Sequence, residues 1–109
     1  MPVSESVFDD VTIAVHSTLL PNIIDTINIP ENILGQSHVI IVNRSTVQEI
    51  YFAINNSAGD LPAPTPSVEG SNSYVIQSGE RFMITQWGYT IKQIKLISAT
   101  GASYSVMII

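Results

Sequence analysis

The chain has no cysteine, only four cationic residues and only five leucines among its 109 residues. Each shortage excludes something. Without cysteine there is no disulfide scaffold and no thiolate zinc site. Four cations against nine acidic groups, a net charge of -5, make nucleic-acid binding by backbone neutralisation improbable. Apolar runs such as Val39 to Val42 and Val106 to Ile109 fall far short of the ~20 residues of a membrane-spanning helix. Charged residues make up 12% of the chain, about half the share usual in soluble domains. Met1 to Asp10 carries no Lys or Arg, so it does not read as a signal peptide. The expectation is a chain made in a cytoplasm and not exported by that route.

What is abundant is the β-branched side chain: 35 residues are Ile, Val or Thr, and 17 of them are Ile. Such side chains are stiff at χ1 and suit a pleated surface better than a helix. Period-two alternation recurs along the chain. Val11, Ile13 and Val15 share a face, as do Ile27 and Ile29. His38 to Asn43 is a nearly continuous apolar run that reads as a central strand, followed by strands over Glu49 to Asn55, Ser73 to Gln77, Arg81 to Gln86, Ile91 to Ile97 and Ala102 to Ile109. Ala99, Thr100 and Gly101 signal a hairpin before the last of these. Pro30 to Gly35 could form one helical turn. Pro62, Pro64 and Pro66 remove ladder donors, so Asp60 to Ser71 is expected to project as an extended loop. Eight short strands and no room for crossover helices predict a single all-β domain: an antiparallel, jelly-roll-like sandwich over residues 11–109, preceded by an N-terminal arm, residues 1–10.

Residues 1–43 hold the entire net charge of -5, and residues 44–109 balance to zero. An acidic arm of this kind can meet basic groups on a partner. Val7 and Phe8 are its apolar anchors, and Asp9 and Asp10 are its ion-pairing groups. Alternation leaves either Met107 and Ile109 or Ile108 of the apolar C-terminus on an outer face, and Ile97 and Val75 look similarly surplus. Together they predict a subunit contact in a homo-oligomer, trimer preferred, with Met107, Ile109 and Ile97 in it; the alternative of equal weight is that a loop of the same chain covers them.

Catalytic groups are scarce. His16 and His38 are the only candidate bases, and both read more simply as strand histidines. A zinc site would need them with Asp9 or Asp10, but no short ligand spacing is present. Glu5, Asp9 and Asp10 lack the glycine-assisted turn of a calcium loop. No phosphate loop or HExxH motif occurs. The chain is therefore expected to be non-enzymatic and without cofactor. Asn43-Arg44-Ser45 and Asn55-Asn56-Ser57 match glycosylation sequons but read as turns. Trp87 and Tyr89, at a strand end, are the aromatics best placed to face a ligand such as a sugar; Tyr51, Tyr74 and Tyr104 could extend that platform, although half-buried tyrosines are the plainer reading.

The order of elements from His38 onward resembles small β-sandwich virion proteins of tailed bacteriophages. It is carried by VIIVNRST (Val39 to Thr46), IYFAI (Ile50 to Ile54), SGERFMI (Ser78 to Ile84) and IKLISATGASYSV (Ile94 to Val106). The acidic first 36 residues and the segment Pro62 to Pro66 depart from that pattern. The resemblance implies a virion structural protein, in the first instance a capsid decoration or cement protein bound to the major capsid protein or another virion protein. A head-fibre or tail component is also within it. It implies no catalytic residues, and no contact with nucleic acid or membrane is expected. The alternative is a carbohydrate- or receptor-binding sandwich module of a phage tail or similar assembly.

Overall fold

Eight strands form in the computed structural model, which describes residues 14–29, 38–56, 59–85 and 91–108. They are β1 (Ala14–Leu19), β2 (Asp25–Asn28), β3 (His38–Asn43), β4 (Ile50–Ile54), β5 (Tyr74–Ile76), β6 (Arg81–Thr85), β7 (Gln93–Ile97) and β8 (Ala102–Ile108). One sheet has the order β1-β8-β3-β6, the other β2-β7-β4-β5. Every pairing is antiparallel. The order has a simple logic. The pairs β4–β5, β3–β6, β2–β7 and β1–β8 nest like rungs of one long hairpin, and β8 against β3 with β7 against β4 closes the roll. This is the jelly-roll sandwich that the strand count and spacing predict. No helix forms among the described residues. The helical turn expected over Pro30 to Gly35 and the arm over residues 1–10 lie outside them.

Alternation builds the core. Val39 and Ile41 of β3, Ile50 and Phe52 of β4, Ile94 and Leu96 of β7, and Tyr104 and Val106 of β8 point between the sheets and are almost fully buried. Each such aliphatic side chain contributes about 1.5–3 kcal/mol through burial. At the β5–β6 side the Phe52 ring stacks on Tyr74 at 5.2 Å and meets Phe82 edge-on at 5.1 Å. Three rings thereby close the gap between the two edge strands.

Two buried asparagines hold the strand ends. Asn43 donates its side-chain amide to the carbonyls of Gln48 and Ile76 at 2.8 and 2.9 Å, and its Oδ1 accepts from the Ser45 N–H. Asn55 Oδ1 accepts from the N–H groups of Lys92 and Gln93 at 2.7 and 3.0 Å, and its amide donates to the Asn56 carbonyl. Both residues have no exposed surface. Their side chains are turn clamps, as the sequence reading of the two sequons expects, and neither amide is open to a glycan.

The proline-rich connection differs from expectation. It does not project; part of it lies along the outer face of the second sheet. Alternation against Phe52 and Leu96 puts Tyr51, Ala53 and Ile97 on that outer face, yet they are only 8%, 2% and 8% exposed. Ala63 is buried, and its N–H bonds to Gln93 Oε1 at 2.8 Å. Gln93 donates in turn to Asn28 Oδ1 at 2.8 Å, tying the strap to β7 and β2. The reason is apolar surface. Tyr51 and Ile97, paired across β4 and β7, would otherwise face water, and proline in an extended strap forfeits no ladder bond because none is required there.

Candidate functional site

The turns at one end of the sandwich enclose an open cleft of about 440 Å³. Its walls come from the β3–β4 turn (Val47, Gln48, Glu49), the end of the strap (Val68, Glu69), Gln77 after β5, and the β7–β8 turn (Ser98, Ala99, Thr100), with Tyr51 inside. Glu49 and Tyr51 lie two apart on β4 and its approach, so period two puts them on the same face. The Tyr51 hydroxyl donates to Glu49 Oε1 at 2.9 Å. Burial first, then that hydrogen bond and the nearby charges of Glu49 and Glu69, push Tyr51 up to about 12. Tyr51 is thus a neutral hydroxyl with its proton committed to a carboxylate. Ser98 has no exposed surface, and among the described residues its Oγ has no hydrogen-bond partner. No lysine or arginine is among the lining residues.

The outer face of the first sheet carries a second feature. Register aligns Ala14, Met107, Ile40 and Met83 in one row across all four strands. Each lies between or beside residues that point to the core, so the row faces outward. Met83 is 55% exposed, Met107 is half-buried and Ile40 is buried. The next row is polar at both ends, with His16 opposite Ser105 and Arg81 opposite Val42.

The residues singled out in the sequence are dispersed. Met107 stands in the apolar row. Ile97 does not share that face: it belongs to the other sheet and is only 8% exposed within its own chain. Val75 is 42% exposed on β5. Val7, Phe8, Asp9, Asp10, Trp87, Tyr89 and Ile109 lie outside the described residues, and so does any metal site built on Glu5, Asp9 or Asp10. The tyrosines do not form one platform. Tyr104 is buried in the core, Tyr74 stands at the β5–β6 side, and Tyr51 lines the cleft.

His16 and His38 are not brought together. His16 is level with Val42 through Ser105, and His38 lies four residues along β3, about 13 Å away at strand rise alone. His16 Nδ1 is instead 2.7 Å from Ser105 Oγ. The contact joins residues 89 apart in the chain, which no local motif could have revealed. Ser105 is 3% exposed, and among the described residues no carboxylate orients His16. The pair is therefore a cross-strand hydrogen bond in a sheet surface rather than an accessible nucleophile with its base.

Fold and surface define an all-β antiparallel sandwich with jelly-roll strand order. A Yersinia pseudotuberculosis-derived mitogen is similar to this chain, with 12% identity, a TM-score of 0.53, and coverage of 88% of this chain and 82% of the mitogen. PirA is similar with 16% identity, a TM-score of 0.50, and coverage of 87% of this chain and 91% of PirA. A de novo designed double-stranded β-helix aligns over 88% of this chain and 97% of its own, with 15% identity and a TM-score of 0.44. At such identities the first two likenesses show a shared fold and nothing about activity. No family model matches the chain, and no curated protein matches it.

Proposed function

We propose that this chain is a non-enzymatic structural protein of a bacteriophage virion, a capsid decoration or cement protein that self-associates, as a trimer for preference, and attaches to the major capsid protein. The observation that carries the reading is the outward-facing row Ala14, Met107, Ile40 and Met83 across β1, β8, β3 and β6, in which Ile40 is already covered and Met83, 55% exposed, with half-buried Met107 is the apolar surface left open. The solvent face of an antiparallel sheet is normally polar, and a second copy of this chain is the occupant the proposal assigns to it. The order of strand and turn motifs from Val39 to Val106 supports the virion assignment. Within this reading Val7 and Phe8 anchor the arm on a partner, and Asp9 and Asp10 set the rate and salt dependence of attachment.

Light scattering with Met83→Lys tests self-association. The unaltered chain is expected as an oligomer at micromolar concentration and the variant as a single chain. A single-chain mass for the unaltered protein defeats the proposal. Co-sedimentation with undecorated heads of the phage that encodes it tests attachment, which removal of residues 1–8 should weaken without unfolding the sandwich.

A further inference from the structure

We propose that the N-terminal arm of a second copy of this chain, residues 1–10, adds to the free edge of β6 as an antiparallel strand of the first sheet, with Phe8 opposite Met83 and Asp10 opposite Arg81. This rests on the self-association reading and deepens it, by naming the segment of the second copy and the strand edge that receives it.

The edge comes first. β6 ends the order β1-β8-β3-β6, so β3 is its only neighbour in the sheet. The Asn43 N–H bonds to the Glu80 carbonyl at 2.9 Å, and an antiparallel ladder bonds at every second pair. Phe82 and Ile84, in register with Ile41 and Val39, therefore spend their backbone groups on β3. Those of Arg81 and Met83 point the other way, and among the described residues nothing pairs with them. Free edges are usually blunted by proline, lysine or an inward charge. The strand Arg81–Thr85 has no proline or lysine, and its one charge stands at its first residue. Met83, in its middle, is 55% exposed.

Charge and register select the occupant. Arg81 is exposed and makes no ion pair among the described residues, and the arm holds Glu5, Asp9 and Asp10 with no Lys or Arg. With Phe8 opposite Met83, antiparallel pairing puts Asp10 opposite Arg81 and Val7 opposite Ile84. Opposite residues share a face, so Phe8 extends the outer row that ends at Met83. Asp9 falls beside Phe82 on the flank where Tyr74 is 52% exposed, so its carboxylate stays hydrated. Pairing Val7 with Met83 instead would set Asp10 against Glu80, two like charges directly opposed. Chain length then excludes the arm of the same copy. Asp10 lies four residues before Ala14, which opens β1 at the far edge of this sheet. Four residues reach about 14 Å at most, whereas a strand beyond β6 lies four strand spacings from β1, about 19 Å. A second copy must supply it, and three copies passing the arm head to tail close a ring.

Engineered cysteines test this in a chain that has none. Ser6→Cys with Thr85→Cys sets two thiols opposite each other in this register and leaves Phe8, Asp10, Arg81 and Met83 intact. After oxidation the full chain is expected to run on a non-reducing gel as disulfide-linked species larger than a dimer. Ser6→Cys with Thr18→Cys, on exposed β1, should not. Light scattering gives a second readout. Arg81→Asp should weaken self-association about tenfold, and adding Asp10→Arg should restore it; Arg81 is exposed, and an unchanged melting temperature checks that its variant folds. A 6–85 disulfide formed within one copy overturns the proposal, as does no disulfide at all, or self-association indifferent to Arg81→Asp. An oligomer that survives removal of residues 1–8 but is broken by Met83→Lys overturns the arm assignment alone. A single-copy mass for the unaltered chain defeats the self-association reading and this proposal with it.

Discussion

The hydroxyl of Tyr104, on β8 of one sheet, donates to Asp25 Oδ2, on β2 of the other, at 3.0 Å. Tyr104 is 1% exposed, so its ring fills the core while its polar tip reaches across the sandwich. Burial, then the hydrogen bond and the charge of Asp25, push it up to about 12 from an ordinary 10.0. The folded state therefore holds the phenol neutral, and the unfolded chain releases the proton more easily. The resulting stability is whole below about pH 10 and is lost as pH rises from about 10 to about 12. Tyr51 shares the same direction and range. Urea unfolding measured across that range should show a steep loss of stability. Tyr104→Phe should make the loss shallower while lowering neutral-pH stability by about 1–2 kcal/mol, because Asp25 loses its donor.

Asn43 and Asn55 should be the polar residues least tolerant of change. Each is fully buried and uses both its amide and its carbonyl oxygen. Asn43→Ala strands the Gln48 and Ile76 carbonyls, and Asn55→Ala strands the Lys92 and Gln93 N–H groups. Each substitution should cost about 1–3 kcal/mol in chemical denaturation. An Asn→Asp change at position 55 presents the same acceptor but loses the donor to Asn56, and it should recover part of the loss.

The fold was legible because its signals are local. Alternation at Ile50, Phe52 and Ile54, and at Tyr104 and Val106, is written in neighbouring residues, and the core follows from it. Pairing order follows less directly, yet eight strands without crossover helices leave few arrangements. What stayed hidden depends on long-range register. Met83, Ile40 and Met107 become one row only when β3, β6 and β8 are aligned. The cleft draws on residues from 47 to 100, and Ser98 looks like any turn serine until its surroundings are known. The strap was misjudged for a related reason: prolines describe how a segment is bent but not which surface it covers.

Gly101 is the glycine most constrained by its place. Its φ is +86°, and a Cβ there would lie 2.8 Å from the Leu19 carbonyl oxygen. Backbone, unlike a side-chain tip, cannot swing away. Gly101→Ala is expected to lower stability by at least about 1–3 kcal/mol, since strain in φ and the clash act together. Gly79 has a similar φ of +76° but open space around it, so Gly79→Ala should cost only the conformational part. Thermal unfolding of the two variants side by side separates the two contributions, and equal losses would show that the contact at Leu19 relaxes freely.

The strap makes the last prediction. Tyr51, Ala53 and Ile97 sit on the outward face of their strands and are nonetheless buried, so removing their cover returns apolar surface to water. Replacing residues 60–71 with a short Gly-Ser linker should lower the urea midpoint clearly, even though β4 and β5 could still pair as a hairpin. Two point changes dissect the effect. Ala63→Glu forces a carboxylate into a site that is 2% exposed and should cost at least about 2 kcal/mol. Gln93→Ala removes the acceptor of the Ala63 N–H and the donor to Asn28, and should cost about 1–2 kcal/mol. The linker variant should also raise the quenching of tyrosine fluorescence by acrylamide, because Tyr51 becomes reachable. An unchanged midpoint together with unchanged quenching would mean that the strap rests on the sheet without stabilising it.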